Sequence, residues 1–135
     1  MTPAPQLAAI LSTGEPERLY SGLSVLVSTA ADGDACAALA SFKALDLLLD
    51  GDLLRRAQEP ATTPELSWEG RETFARSLVE LVETALELEN LTIWACAASV
   101  ETMALTDGDI EGQLEGIIST PRFLRDTAGA TLLFV

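Results

Sequence analysis

Apolar positions along the chain fall into one long periodic segment and several short runs. From Arg71 onward, Phe74, Leu78, Leu81, Val82, Ala85 and Leu88 recur at helical spacing, with Glu72, Arg76, Glu80, Glu83 and Glu87 on the other faces. This pattern predicts an amphipathic helix that Asn90 ends. Leu23–Thr29 is a Val-, Leu- and Ser-rich run that starts after Gly22 and stops before Asp32-Gly33-Asp34, as a buried strand followed by a turn would. Leu91–Ala95, Ile117–Ser119 and Thr131–Val135 read as further strands.

Ala35–Lys43 follows a capping Asp34 and is rich in Ala, Leu and Phe without a break, which predicts a helix. Leu45–Leu49 is cut off by Asp50-Gly51-Asp52, and its periodicity fits either a continued helix or a strand. The alternation of a βαβ plan favours the strand. Short helices are expected over Ser99–Leu105, Ile110–Glu115 and Pro121–Gly129, with a turn at Thr106–Asp109 and a capping hydroxyl at Thr120 before Pro121. Gln58–Gly70, with Pro60, Pro64 and Gly70, reads as a long loop. Residues 1–18, broken by Pro3, Pro5, Gly14 and Pro16, read as an N-terminal arm or short helix around Leu7–Leu11, ahead of a single domain over 19–135.

Near-continuous apolar strands alternating with helices predict an α/β/α sandwich of three layers around a mainly parallel five-stranded sheet. In such sheets reactive groups gather beyond the carboxyl ends of the strands. Cys96 follows directly on the 91–95 strand, and Cys36 follows the turn that leaves the first strand, so both are expected at that edge.

Charge and composition narrow the function. The 21 acidic and 8 basic residues leave a net charge of −13, which repels nucleic acid and anionic membrane surfaces. The longest uncharged stretches fall short of a membrane helix, so the expectation is a cytoplasmic protein with neither a membrane nor a nucleic-acid partner. The chain has no histidine, which removes Ser/His and Cys/His nucleophile pairs and the common zinc sites. No metal and no cofactor are expected; the Asp-Gly-Asp segments lack the spacing of a calcium loop and read as turns. Two cysteines, far apart in sequence, are too few for a disulfide framework.

A thiol at the start of a helix is activated without an imidazole, because unpaired backbone amides favour the thiolate. Cys96 fits this description, with the amides of Ala97, Ala98 and Ser99 as an anion cradle and the Ser99 hydroxyl as a further donor. The plainer reading is a buried packing cysteine. Cys36, with Ala on both sides, reads as packing or as a second thiol that relays to Cys96.

The segment Cys96-Ala97-Ala98-Ser99-Val100-Glu101-Thr102-Met103-Ala104-Leu105 resembles the DsrE/DsrF-like (DsrEFH) family of small sulfur-relay proteins, with its cysteine, a serine three residues on, and a Gly-Leu pair near the end of the following helix. Asp109-Ile110, Phe123-Leu124 and Thr131–Phe134 agree more weakly, and the likeness runs over about residues 21–135. Ala104 stands where the family often has glycine, and Ser119-Thr120-Pro121 replaces a small Gly/Ala segment. The resemblance implies a sulfurtransferase or sulfur carrier whose Cys96 takes up a sulfane sulfur as a persulfide and passes it to an acceptor. It also implies self-association as a dimer, trimer or hexamer, and a donor or acceptor protein as partner. Two alternatives stand beside it: a non-catalytic binding or assembly subunit, and a thiol redox protein using Cys96 with Cys36.

Overall fold

Strand β1 (Leu7–Leu11) lies inside the sheet, paired on both sides, in a computed structural model that describes residues 4–135. The segment expected as an arm is therefore part of the domain, although its first three residues lie outside those described. Its prolines flank the strand without interrupting it, and its apolar run of five is buried on both faces, as a parallel strand requires.

The run expected as the first strand belongs to helix α1 (Pro16–Ala31). Pro16 starts it at a position where a missing N–H costs nothing, and Leu19, Leu23, Leu26 and Ala30 fall on one buried stripe. Burial of each leucine contributes roughly 1.5–3 kcal/mol. Gly22 lets the helix close on the sheet: a Cβ there would sit 3.2 Å from the Val135 side chain and 3.3 Å from that of Leu11.

The next two expectations are reversed as well. Ala35–Lys43 is mostly strand β2 (Cys36–Ala40), buried along its whole length, and Leu45–Leu49 belongs to helix α2 (Phe42–Leu49). The good helix formers of β2 are overridden by their position in the middle of the sheet, where small side chains let layers on both faces come close. A short helix α3 (Leu53–Ala57) and a loop lead to α4 (Trp68–Glu87), the predicted amphipathic helix, which Ser67 caps by accepting from the Gly70 N–H.

Strand β3 (Leu91–Cys96) forms as expected. Helix α5 (Ala97–Thr102) follows it. Thr106–Asp109 is more than a turn: Thr106 and Asp109 cap each other reciprocally at the start of α6 (Asp107–Ile110). The helix expected over Ile110–Glu115 is absent. Strand β4 (Gly116–Ile118), helix α7 (Thr120–Asp126) and strand β5 (Thr131–Phe134) complete the chain, close to their predicted places.

All five strands are parallel, in the order β4-β3-β2-β1-β5. Helices flank the sheet in an α/β/α sandwich of three layers, but unequally. One face, formed by Leu7, Ala9, Leu11, Ala38, Ile93 and their neighbours, packs against α1 to α4 in the main core. The other is a small cluster of Ala8, Ala37, Leu39, Cys96 and Ile118 under Phe123 of α7. Leu132 and Phe134 of β5 share this second face, in register with Ala8 and Ile10, and are 51% and 73% exposed. Among the described residues, no helix is long and apolar enough to cross a membrane.

Candidate functional site

Alternation along β3 decides which way its cysteine faces. Leu91, Ile93 and Ala95 enter the main core, which leaves Thr92, Trp94 and Cys96 on the second face. Cys96 ends the strand and is the residue from which α5 starts, so its sulfur lies where that helix presents unpaired amides.

Four donors meet this sulfur. Burial pushes the Cys96 thiol pKa up, but the Ser99 amide, the hydroxyls of Ser99 and Thr120, and the Ala98 amide together bring it below its ordinary value of 9.0. The Thr120 Oγ1 stands 3.8 Å from Sγ. Of the three amides expected in the cradle, those of Ala98 and Ser99 act on the sulfur. These are all neutral donors.

Thr120 is the member that sequence reasoning placed elsewhere. It was expected as the cap of the helix beginning at Pro121; in the structure Ser119 does that work, accepting from the Arg122 N–H at 3.3 Å. The hydroxyl of Thr120 is thereby left for Cys96. The signal was the Ser119-Thr120 pair itself, which offers one hydroxyl more than a cap needs.

Ser99 is fully buried and does two things at once. Its Oγ accepts the backbone N–H of Phe42 at 2.9 Å, and its own proton is left for the sulfur. Phe42 has φ of 43°, a left-handed conformation that is costly for an aromatic residue, and its ring is 47% exposed. The Ser99 bond helps to hold this strained junction between β2 and α2 beside the cysteine.

Cys36 is not part of the site. It begins β2 where Cys96 ends β3, and it is in register with Leu91, five residues before Cys96. That offset amounts to roughly 17 Å along the sheet, and the two sulfurs belong to clusters on opposite faces. A disulfide needs Cα atoms within about 7 Å, so this geometry speaks against the alternative in which Cys36 works with Cys96, and the expectation that both cysteines share one sheet edge is corrected. Burial and the neighbouring Asp34 both push the Cys36 thiol up, and its Sγ donates to the Asp34 carbonyl at 3.6 Å. It is a packing cysteine.

Cys96 itself is only 4% exposed, covered by α7 through Phe123 and Thr120. The long 58–67 loop joins α3 to α4, whose buried residues belong to the main core, on the face of the sheet opposite Cys96. Among the described residues, no group of three or more His, Cys, Asp or Glu is placed to hold a metal ion.

Fold and site together define an all-parallel α/β protein with a covered thiol polarised by neutral donors at a strand end. No family model and no curated protein matches the chain. It is similar to the solved structure of a protein of unknown function from Methanobacterium thermoautotrophicum, with a TM-score of 0.62 at 12% identity, over 97% of this chain and 99% of that one. At that identity the likeness is one of fold.

Proposed function

We propose that the protein is a sulfur-relay protein of the DsrE kind in which Cys96 carries a sulfane sulfur as a persulfide. The observation that supports this reading is the convergence of the Ala98 and Ser99 amides and the Ser99 and Thr120 hydroxyls on one sulfur. These groups favour an anionic sulfur without a histidine base, and would stabilise a persulfide anion in the same way.

The transfer balances without an oxidant. The Cys96 thiolate attacks the outer sulfur of a donor persulfide R–S–SH. The new Cys96 S–S bond forms as the donor S–S bond breaks, RS⁻ leaves, and the proton stays on the transferred sulfur. An acceptor thiolate then attacks that outer sulfur and Cys96 departs as the thiolate its four donors favour. Both steps require α7 to lift from the thiol. One side chain of α7, Phe123, is sunk deeply into the second-face cluster, which makes the helix a segment of low local stability. In this reading the protein works in the cytoplasm and self-associates. The exposed Leu132 and Phe134 on a sheet face that parallel strands ordinarily bury support the association.

A second reading is favoured by one observation, the 4% exposure of Cys96: a binding or assembly subunit in which the cysteine is packing. Mass spectrometry after incubation with a low-molecular-weight persulfide separates the two. The relay predicts a gain of about 32 Da on Cys96 that an acceptor thiol removes and that Cys96→Ser lacks. No adduct on Cys96, or an equal adduct on Cys36, sinks it.

A further inference from the structure

Trp94, two residues before Cys96, faces a cavity of about 620 Å³ between α7 and the second face of the sheet. That volume lies in the range of small-molecule sites. Trp94, Ile118 and Phe123 give it apolar walls, while Thr92 and Thr127 supply hydroxyls. The indole is seated closely: a Cβ on Gly116, its neighbour across β4, would lie 3.2 Å from Cζ3, so the ring rests against backbone that only glycine leaves open.

The rim is of one sign. Glu89, Glu115 and Asp126, all exposed, line the cavity, and no lysine or arginine is among its lining residues. Asp126 has a cation near it, the exposed Arg122 at 3.5 Å, and shares its charge with solvent. An anionic ligand would meet three carboxylates, whereas a positive charge would be drawn both by them and by the face of the indole. A purely apolar ligand would use the walls and gain nothing from the rim.

We propose that this cavity is a binding site for a small organic cation with a flat apolar body, an arylalkylammonium or guanidinium compound. The body lies against Trp94, Ile118 and Phe123, and the charge faces Glu115 and Asp126. The site is independent of the chemistry assigned to Cys96.

The test uses the full chain carrying Trp68→Phe, which leaves Trp94 as the one tryptophan; Trp68 is exposed on α4, away from the cavity. Trp94 emission is followed on titration with 2-phenylethylammonium, 2-phenylethanol and phenylacetate, which share a body and differ in charge. The expected result is a saturable change for the cation, with affinity falling through the alcohol to the carboxylate by roughly tenfold in all. In Glu115→Gln with Asp126→Asn this preference collapses while the alcohol still binds. Equal affinities, no saturation by the cation, or a preference that survives the double variant overturns the proposal. A blue shift of Trp94 with rising protein concentration and no probe would give this face to a second copy of the chain, and overturn it as well.

Discussion

The backbone N–H of Phe42 donates to the hydroxyl oxygen of Ser99 at 2.9 Å, joining the start of α2 to the first turn of α5 across the carboxyl ends of β2 and β3. One oxygen thus holds a strained junction on one side and polarises Cys96 on the other. Ser99→Ala removes both roles and leaves a part-buried amide without its partner. The expected loss is about 1–3 kcal/mol of stability in denaturant unfolding, together with a rise in the Cys96 pKa read from the pH dependence of iodoacetamide labelling. Labelling that keeps its pH profile in the variant would refute the second role.

The two cysteines should give stability opposite slopes in pH. The folded Cys96 pKa lies below the unfolded value of 9.0, so between those two values the unfolded chain binds more protons and stability rises with pH. The Cys96 contribution is full above pH 9.0 and is lost as pH falls through the folded pKa. Cys36 is raised, so its contribution is full below 9.0 and is lost as pH climbs through its folded value. Unfolding midpoints of Cys96→Ser and Cys36→Ser between pH 7 and 10 check the signs. Relative to wild type, the first should lose the rise below pH 9 and the second the fall above it.

What the chain disclosed about itself follows a physical line. Helix α4 was legible because one face is buried and the other solvated, so Ala75, Leu78, Val82 and Ala85 impose a helical period on the sequence. β3 was legible because its run is short, apolar and bounded by Asn90 and the helix start. β2 was not: a strand buried on both faces has no alternation, and Cys36–Ala40 has the composition of a helix. The loss of β1 has the same cause, compounded by its flanking prolines. Reading the 23–29 run of α1 as a strand puts Cys36 at the wrong end of the sheet. The placement of Cys96 and Ser99 at the junction of β3 and α5 depends only on a strand running into a helix, a local relationship. The facing of Thr120 to Cys96 joins residues 24 apart and depends on how β4 lies beside β3, which no local pattern records.

Ala104 offers a test of backbone strain beside the site. It follows α5 with φ of 55°, and the bonds Ala104 N–H to Glu101 O at 3.2 Å and Leu105 N–H to Val100 O at 2.9 Å close the helix in a Schellman arrangement. That position prefers glycine, because a Cβ in the left-handed region costs about 1–2 kcal/mol. Against this, glycine gives the unfolded chain more freedom. The strain term is the larger, so Ala104→Gly should stabilise the protein by up to about 1 kcal/mol, seen as a higher unfolding midpoint with an unchanged Cys96 labelling rate. A lower midpoint would mean that the left-handed turn is not strained.

The cover over Cys96 should open through Phe123. This side chain is 1% exposed and fixes α7 to the second face, while Leu124, Arg125 and Asp126 beside it are exposed. Phe123→Leu keeps an apolar anchor but leaves space beneath the helix, at a cost of about 1 kcal/mol or somewhat more. Because Phe123 tethers α7 to the sheet, most of that cost should appear as easier local opening, with faster amide exchange in 120–127 and faster alkylation of Cys96. Cys36 lines the cavity beside Phe123 and is no control; the reference is α4 on the opposite face, whose amides should exchange at their wild-type rate. If the α4 amides exchange faster as well, the variant opens globally and α7 is not a separate cover. If Cys96 reacts no faster, the thiol is reached by a route that does not pass beneath Phe123.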